Sequence, residues 1–387
     1  MLFKMDNRGP CRQPLSAPEK TGKRRTAALA KEPKICKSFC RTTFLFRKPY
    51  PDAAMKQPWA MIRLSALGDA LLTTGVLAYW HAARGMTFHV LTRKALAPLF
   101  ESHPAVERIT ALDADGLTPA GLWRTARALS PACAGLSDLH ANLRSRMLGL
   151  FWRGRVLRYP KFGMERRLFL LTGGRFFRER LESLSVTQRY ALALETTPPS
   201  PGDLLPTLAL RPEEKAWAKQ ALAAFSTPPI ALHPFATHAQ KAWPAAAWQG
   251  LAERLDAEGL PWFVIGQGKT PLELKGHGLS FVNKSSLRET AALISLAAAL
   301  VTGDSGPMHL ASAVGTPVAA LFGPTARAWG FMPQGARDIV LQKALPCRPC
   351  SLHGAKACPR GQECMTGITP DEVMDALHEI IGNAPKE

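Results

Sequence analysis

Residues 299–325, ALVTGDSGPMHLASAVGTPVAALFGPT, decide the fold of this 387-residue chain. Ala299 to Thr302 is a short apolar run that reads as a strand, and Gly303-Asp304-Ser305-Gly306 reads as a turn. Pro307 to Val314 reads as a short helix, with Pro at its start and Gly315 just past its end, the asymmetry helices favour. Pro317 to Phe322 is the next strand, broken by Gly323-Pro324. A strand, turn, helix and strand in this succession predict a parallel α/β unit. The turn stands at the carboxyl end of a strand and at a helix N-terminus. Such sheets bind ligands there, and free backbone N–H groups there suit phosphate. Asp304 and His309 flank the turn, although a capping Asp and a core His would give the same pattern.

Composition narrows the class. At 46% hydrophobic residues the chain is globular, and its length favours two domains. No apolar run approaches the roughly 18 residues of a spanning helix. The net charge of +19 is localised: residues 1–56 hold 14 Lys/Arg against 4 Asp/Glu, and residues 144–189 hold 12 against 3. The rest is about neutral, which argues against a uniformly basic nucleic-acid coat. Residues 1–56 lack hydrophobic periodicity and read as a disordered basic extension, with Met55 just before the first strand. No apolar core of a secretory signal stands there, so reduced cysteines are expected.

Alternating strand and helix signals fall in two runs. WAMIRL (59–64) and residues 87–92 and 105–112 read as strands, with a helix over 70–83. LSDLHANL (136–143) is a strand leading to a polar turn. The Pro-rich ETTPPSPGDLL (195–205) reads as a linker, followed by a strand-like TLAL (207–210) and a helix containing Trp217. PIALH (229–233) and PWFVI (261–265) are strands of the second run, and residues 245–258 and 371–381 are helices.

Several segments together resemble glycosyltransferase family 9. DSGPMHLASAVGTPVAALFGPT resembles its signature, RLSALGDALL its first turn and helix, and DLHANLRS its polar segment. HPFATHAQKAWP resembles a His-Pro…Lys-x-Trp-Pro segment, and a cysteine-bearing tail precedes Ile368-Thr369-Pro370. Two positions depart from the first motif: Leu72 and Gly75 stand where many members carry His and Pro. The resemblance implies a GT-B fold, two Rossmann-like α/β domains facing across a cleft. The domains expected are 57–197 for the acceptor and 203–387 for the nucleotide sugar.

It also implies an inverting transfer of heptose from ADP-heptose to a lipopolysaccharide core. Asp69 would be the catalytic base, or else only a helix cap. Arg63, Ser65, Asn142 and Arg144 would bind acceptor. Thr237, Lys241, Glu273, Asp304, Ser305, Gly306 and His309 would bind the nucleotide sugar. A Lys between strand and helix is a suitable point charge for a diphosphate. An acid past a strand, as Glu273 is, can accept bonds from ribose hydroxyls. No carboxylate cluster typical of Mg2+ is apparent, so metal-independent chemistry with no required cofactor is expected. Cys347, Cys350, Cys358 and Cys364, spaced C-x2-C-x7-C-x5-C, suit structural zinc, two disulfides or free thiols.

The basic residues of 144–189 are interleaved with aromatics such as Phe151, Trp152, Phe176 and Phe177. Single-stranded nucleic acid would suit that mixture, and so would an anionic glycolipid at a membrane surface. With the other segments it favours the glycolipid, hence peripheral contact at the inner face of the cytoplasmic membrane and no nucleic acid. An epimerase-like GT-B enzyme and a nucleic-acid-binding protein are the alternatives.

Overall fold

In the first half of the computed structural model, β1 (Trp59–Ile62), β2 (Phe88–Arg93), β3 (Val106–Leu112), β4 (Leu136–Asp138) and β5 (Val156–Arg158) form one parallel sheet. Helices α1 (Leu67–Arg84), α2 (Pro119–Leu129) and α3 (Leu143–Phe151) return the chain between strands. Then come α4 (Gly163–Leu171), α5 (Arg178–Glu182), α6 (Val186–Ala191) and α7 (Pro212–Ala221). The second sheet holds β6 (Ile230–His233), β7 (Trp262–Val264), β8 (Leu279–Ser280), β9 (Ala299–Gly303), β10 (Val318–Phe322) and β11 (Ile339–Gln342). It is parallel too, with α8 (Ala245–Ala257), α9 (Leu287–Ser295) and α10 (Gly306–Val314) between strands, and α11 (Glu363–Thr366) and α12 (Pro370–Gly382) after them. The structure describes residues 57–268, 272–355 and 357–383, so the expectations for residues 1–56 lie outside it.

The strand orders are β3-β2-β1-β4-β5 and β11-β10-β9-β6-β7-β8. Each sheet therefore starts in its middle, builds to one side, and crosses back to the other. The reversal falls between β1 and β4 in the first sheet and between β6 and β9 in the second. Both are Rossmann-like, and in both the crevice at the reversal, beyond the strand carboxyl ends, is where a ligand has room. The central strands are buried at every position in β1, β6, β9 and β10, as expected when helices cover both faces of a parallel sheet.

TLAL does not form a strand. The Thr207 amide donates to Thr74 Oγ1 at 2.9 Å, and the Leu208 amide donates to the carbonyl of Ala313 at 2.9 Å. A side chain of α1 and the C-terminus of α10 thus take the hydrogen bonds a sheet edge would have used. The stretch before it is packed rather than free. Leu204 is buried, and Glu195 accepts from Trp80 Nε1 at 3.0 Å. Strands β5, β8 and β11 escape the sequence reading; β5 and β8 offer only three and two residues.

Gly75 on α1 lies against the carbonyl oxygens of Leu204 and Leu205, where a Cβ would meet backbone. Replacing Gly75 with Ala is therefore expected to lower stability by about 1–3 kcal/mol, despite the better helix propensity of Ala. A denaturant midpoint equal to or above that of the wild type would contradict this packing.

Candidate active site

The two halves meet at two helix N-termini. Helix α1 packs against α10 so closely that a Cβ on Gly68 would run into the His309 ring, and one on Gly306 would lie 2.6 Å from the Leu67 side chain. The turn after β1 and the turn after β9 are therefore neighbours. The first carries Asp69 and the second Asp304, Ser305 and Gly306.

Asp69 is the third residue of α1, and its Oδ2 accepts from the Ala66 amide at 3.3 Å. Its Oδ1 accepts from Tyr190 Oη at 2.6 Å and pairs with Arg63 Nη2 at 2.6 Å. Burial works to raise the carboxyl pKa. The Arg63 guanidinium and the Tyr190 and Ala66 donors outweigh it and hold Asp69 below the ordinary carboxylate value. Arg63 is itself 5% exposed, and its Nε and Nη1 donate to the carbonyls of Ser65 and Leu139. Sequence analysis assigns Arg63 to the acceptor. With its nitrogens engaged by the protein, its place here is that of a support for Asp69. Tyr190 is buried on α6, with Tyr159 edge-on at 4.8 Å.

Across from Asp69, Lys241 Nζ donates to Asp304 Oδ2 at 2.6 Å, and Thr325 Oγ1 donates to the same oxygen at 2.8 Å. An ammonium has three donors, so the pair leaves Lys241 with capacity for an anion. Ser305 begins α10, its hydroxyl 3.0 Å from Thr302 Oγ1, and His233 Nδ1 lies 3.0 Å from the same threonine oxygen. Burial pushes His233 down to about 4 and lowers His309, where Asp304 and Asp69 oppose the shift, so both rings are neutral at neutral pH. Gly354, at φ +77°, lies directly against the Lys241 side chain, where a Cβ would meet Cγ at 2.8 Å.

The remaining candidates are more dispersed. Thr237 is exposed on the loop between β6 and Lys241. Glu273 is exposed beyond β7, and among the described residues no hydrogen bond ties it to the Lys241–Asp304 pair. Asn142 caps α3, accepting from the Ser145 amide at 3.0 Å. Ser65 meets Arg63 through its carbonyl. Arg144 is exposed and lines an open pocket of about 760 Å3 at the carboxyl ends of β2 and β3, with Arg93, Leu112, Thr118 and Met147. Sequence reasoning missed Tyr190 and Thr325. Thr325 closes the quoted 299–325 stretch and could have been read there. Tyr190 sits on a six-residue helix with no local signal.

Cys347, Cys350, Cys358 and Cys364 line one small cavity beside Pro324 and Arg348. Among the described residues no group of three His, Cys, Asp or Glu side chains is placed to hold a metal ion.

The Asp69 environment has a measurable signature. Its carboxyl is depressed in the folded state, so its stabilising contribution is complete above the unfolded value of about 3.9 and is lost as pH falls through the lower folded value. Asp69→Asn is expected to cost on the order of 1–3 kcal/mol at pH 7, with the gap to wild type closing below about pH 4. Thermal midpoints of both proteins across pH check this, and a gap that stays constant into acid would refute it.

The model of "Glycosyltransferase family 9 (heptosyltransferase)" matches residues 156–357, just over half of the chain. Lipooligosaccharide heptosyltransferase 2 of Haemophilus influenzae is 33% identical over 218 residues, 51% of this chain and 62% of that protein. Lipopolysaccharide heptosyltransferase 1 of Pseudomonas aeruginosa is 28% identical over 363 residues, 83% of this chain and 97% of that protein. The solved E. coli ADP-heptose lps heptosyltransferase II superposes with a TM-score of 0.64 at 20% identity, covering 84% of this chain and 98% of the other, a likeness of fold. With the family model matched over more than half of its length, the chain belongs to glycosyltransferase family 9.

Proposed function

We propose that the protein is an inverting heptosyltransferase that moves heptose from ADP-heptose to the anionic inner core of lipopolysaccharide, at the cytoplasmic face of the membrane. Among the described residues no helix is long and apolar enough to cross a membrane. The observation that carries the reading is the juxtaposition of the Asp69 turn with the Asp304–Gly306 turn through the Gly68–His309 contact. On this reading residues 57–197 hold the acceptor and residues 203–387 the donor.

Each group then has a task. Lys241, with Thr237 beside it on the same loop, and the N-terminus of α10 offset the charge of the departing diphosphate. Asp304 orients Lys241 and is held by Thr325. Asp69 takes the acceptor hydroxyl proton. Its Oδ1 is occupied by Arg63 and Tyr190, so Oδ2, bonded by one long backbone contact, faces the acceptor. A carboxylate held below its ordinary value is a weak base for a free alcohol. It suffices because the hydroxyl acidifies late, as its oxygen closes on an oxocarbenium-like centre. The positive charges already assigned to the diphosphate make metal-independent transfer part of this reading.

Asp69→Asn is expected to lower kcat by roughly 10²–10⁴-fold while ADP affinity is unchanged, since Asp69 makes no contact with Lys241 or the start of α10 through which the diphosphate is held. Lys241→Ala is expected to weaken ADP binding by roughly 10- to 150-fold, the worth of a charge-assisted contact. Calorimetric ADP titrations and initial rates at a temperature where each variant is folded distinguish the two. Asp69→Asn with more than a tenth of wild-type kcat, or Lys241→Ala with normal ADP affinity, would sink the assignment. Turnover after EDTA treatment is expected to match the untreated enzyme; a loss restored by Mg2+ would remove metal independence.

A further inference from the structure

Residues 350–354, between β11 and α11, are pinned to both halves of the fold. The Cys350 amide donates to the carbonyl of Pro324 at 3.3 Å, and the Ser351 carbonyl accepts from Trp329 Nε1 at 3.3 Å. Leu352 packs against the apolar cluster that Phe162 and Phe169 of the first half share with Trp329. Gly354 rests on Lys241. Ser351 Oγ accepts from the amides of His353 at 3.3 Å and Gly354 at 2.8 Å, which closes a tight turn at His353. The backbone on either side of His353 is thus held, while its side chain is exposed. Among the described residues the ring makes no hydrogen bond. Partial burial and the neighbouring Lys241, His238 and Arg166 lower its pKa, with Asp69 opposing them. The ring is therefore neutral at neutral pH, and it lies within electrostatic reach of both Lys241 and Asp69.

We propose that the His353 imidazole hydrogen-bonds a hydroxyl of the sugar being transferred. The argument is position first. With the diphosphate at Lys241 and the acceptor oxygen at Asp69, the transferred sugar stands between them, and the turn that rests on Lys241 carries His353 to the edge of that space. The chemistry agrees. A neutral imidazole has one N–H to donate and one ring nitrogen to accept, and a sugar hydroxyl can answer either. An ammonium or guanidinium there would compete with Lys241 for the phosphates, whereas an uncharged ring leaves them to Lys241. The turn also fixes the ring's attachment before the ligand arrives, so little ordering remains to oppose the contact. This rests on the reading of the donor as a nucleotide sugar.

The test is calorimetric titration of wild type, His353→Ala and His353→Gln with ADP-heptose and with ADP, together with initial rates for the KM of each substrate. His353 is exposed, so all three proteins are expected to share one thermal midpoint. His353→Ala is expected to weaken ADP-heptose binding roughly 3- to 10-fold, the worth of one neutral hydrogen bond, and to leave ADP binding unchanged. His353→Gln keeps a donor and an acceptor and is expected to recover part of that loss. A merely structural role for the turn would weaken both ligands together, and that result overturns the proposal. Unchanged ADP-heptose affinity in the Ala variant overturns it as well, and so does a rise confined to the KM of the acceptor. Equal losses in the Ala and Gln variants overturn the hydrogen bond. If wild type binds another nucleotide sugar in place of ADP-heptose, the function proposed above falls. The same comparison, made with that sugar and its nucleoside diphosphate, then decides for His353. Wild type that binds no nucleotide sugar overturns both.

Discussion

Everything at the candidate site depends on the absence of two Cβ atoms. Gly68 and Gly306 each open a helix, and each lies under a side chain from the other half. A methyl group at either place would push the two helix N-termini apart. The partial positive charge of both termini, and the two aspartates they carry, would then cease to share one crevice. Each sheet is a parallel stack whose strand order leaves a gap at its own reversal point, and one buried apolar cluster runs through both halves. The glycines turn two separate gaps into one.

Around that junction the protein distributes buried positive charge with care. Arg63 is matched by Asp69, and Arg288 is matched by Glu214 in a contact of 2.5 Å that burial alone would oppose. Among the described residues Arg189 pairs with no carboxylate. It donates instead to the carbonyls of Leu181, Leu184, Ala328 and Trp329, and burial, with Arg166 nearby, brings it down to about 9. The arginines that join distant segments thus use carbonyl oxygens as well as acids. Arg288 bonds Pro98 and Ala209 in addition to Glu214.

Local chemistry made much of this legible. The strand-turn-helix of residues 299–325 showed its caps, its apolar runs and its ligand-side turn, and β9, α10 and β10 follow them within a residue or two. The same held for β1 and β6, while α1 begins three residues before its expected start. Partnership across the fold was not legible. Nothing near Arg63 says that its guanidinium turns inward to Asp69, and nothing near Tyr190 says that its hydroxyl ends on the same carboxylate 121 positions away. Asn142 has a similar lesson. It belongs to the polar segment that resembles the family, and it caps α3, so its position follows from backbone needs as well. TLAL misled because a short apolar run states that it will be buried without stating which backbone groups will answer it.

That buried run has a consequence for how such proteins can be recombined. The two Rossmann-like halves look like exchangeable cassettes, and the Pro-rich stretch between them looks like the place to cut. Yet Leu204 and Leu208 are buried, and the amides of residues 207 and 208 are answered by α1 on one side and α10 on the other. A chimera spliced there would inherit a seam fitted to only one of its parents. Inheritance of the crossover together with both helices is the condition for a new pairing of donor and acceptor halves to close properly. Drift in either helix is correspondingly restrained by the other.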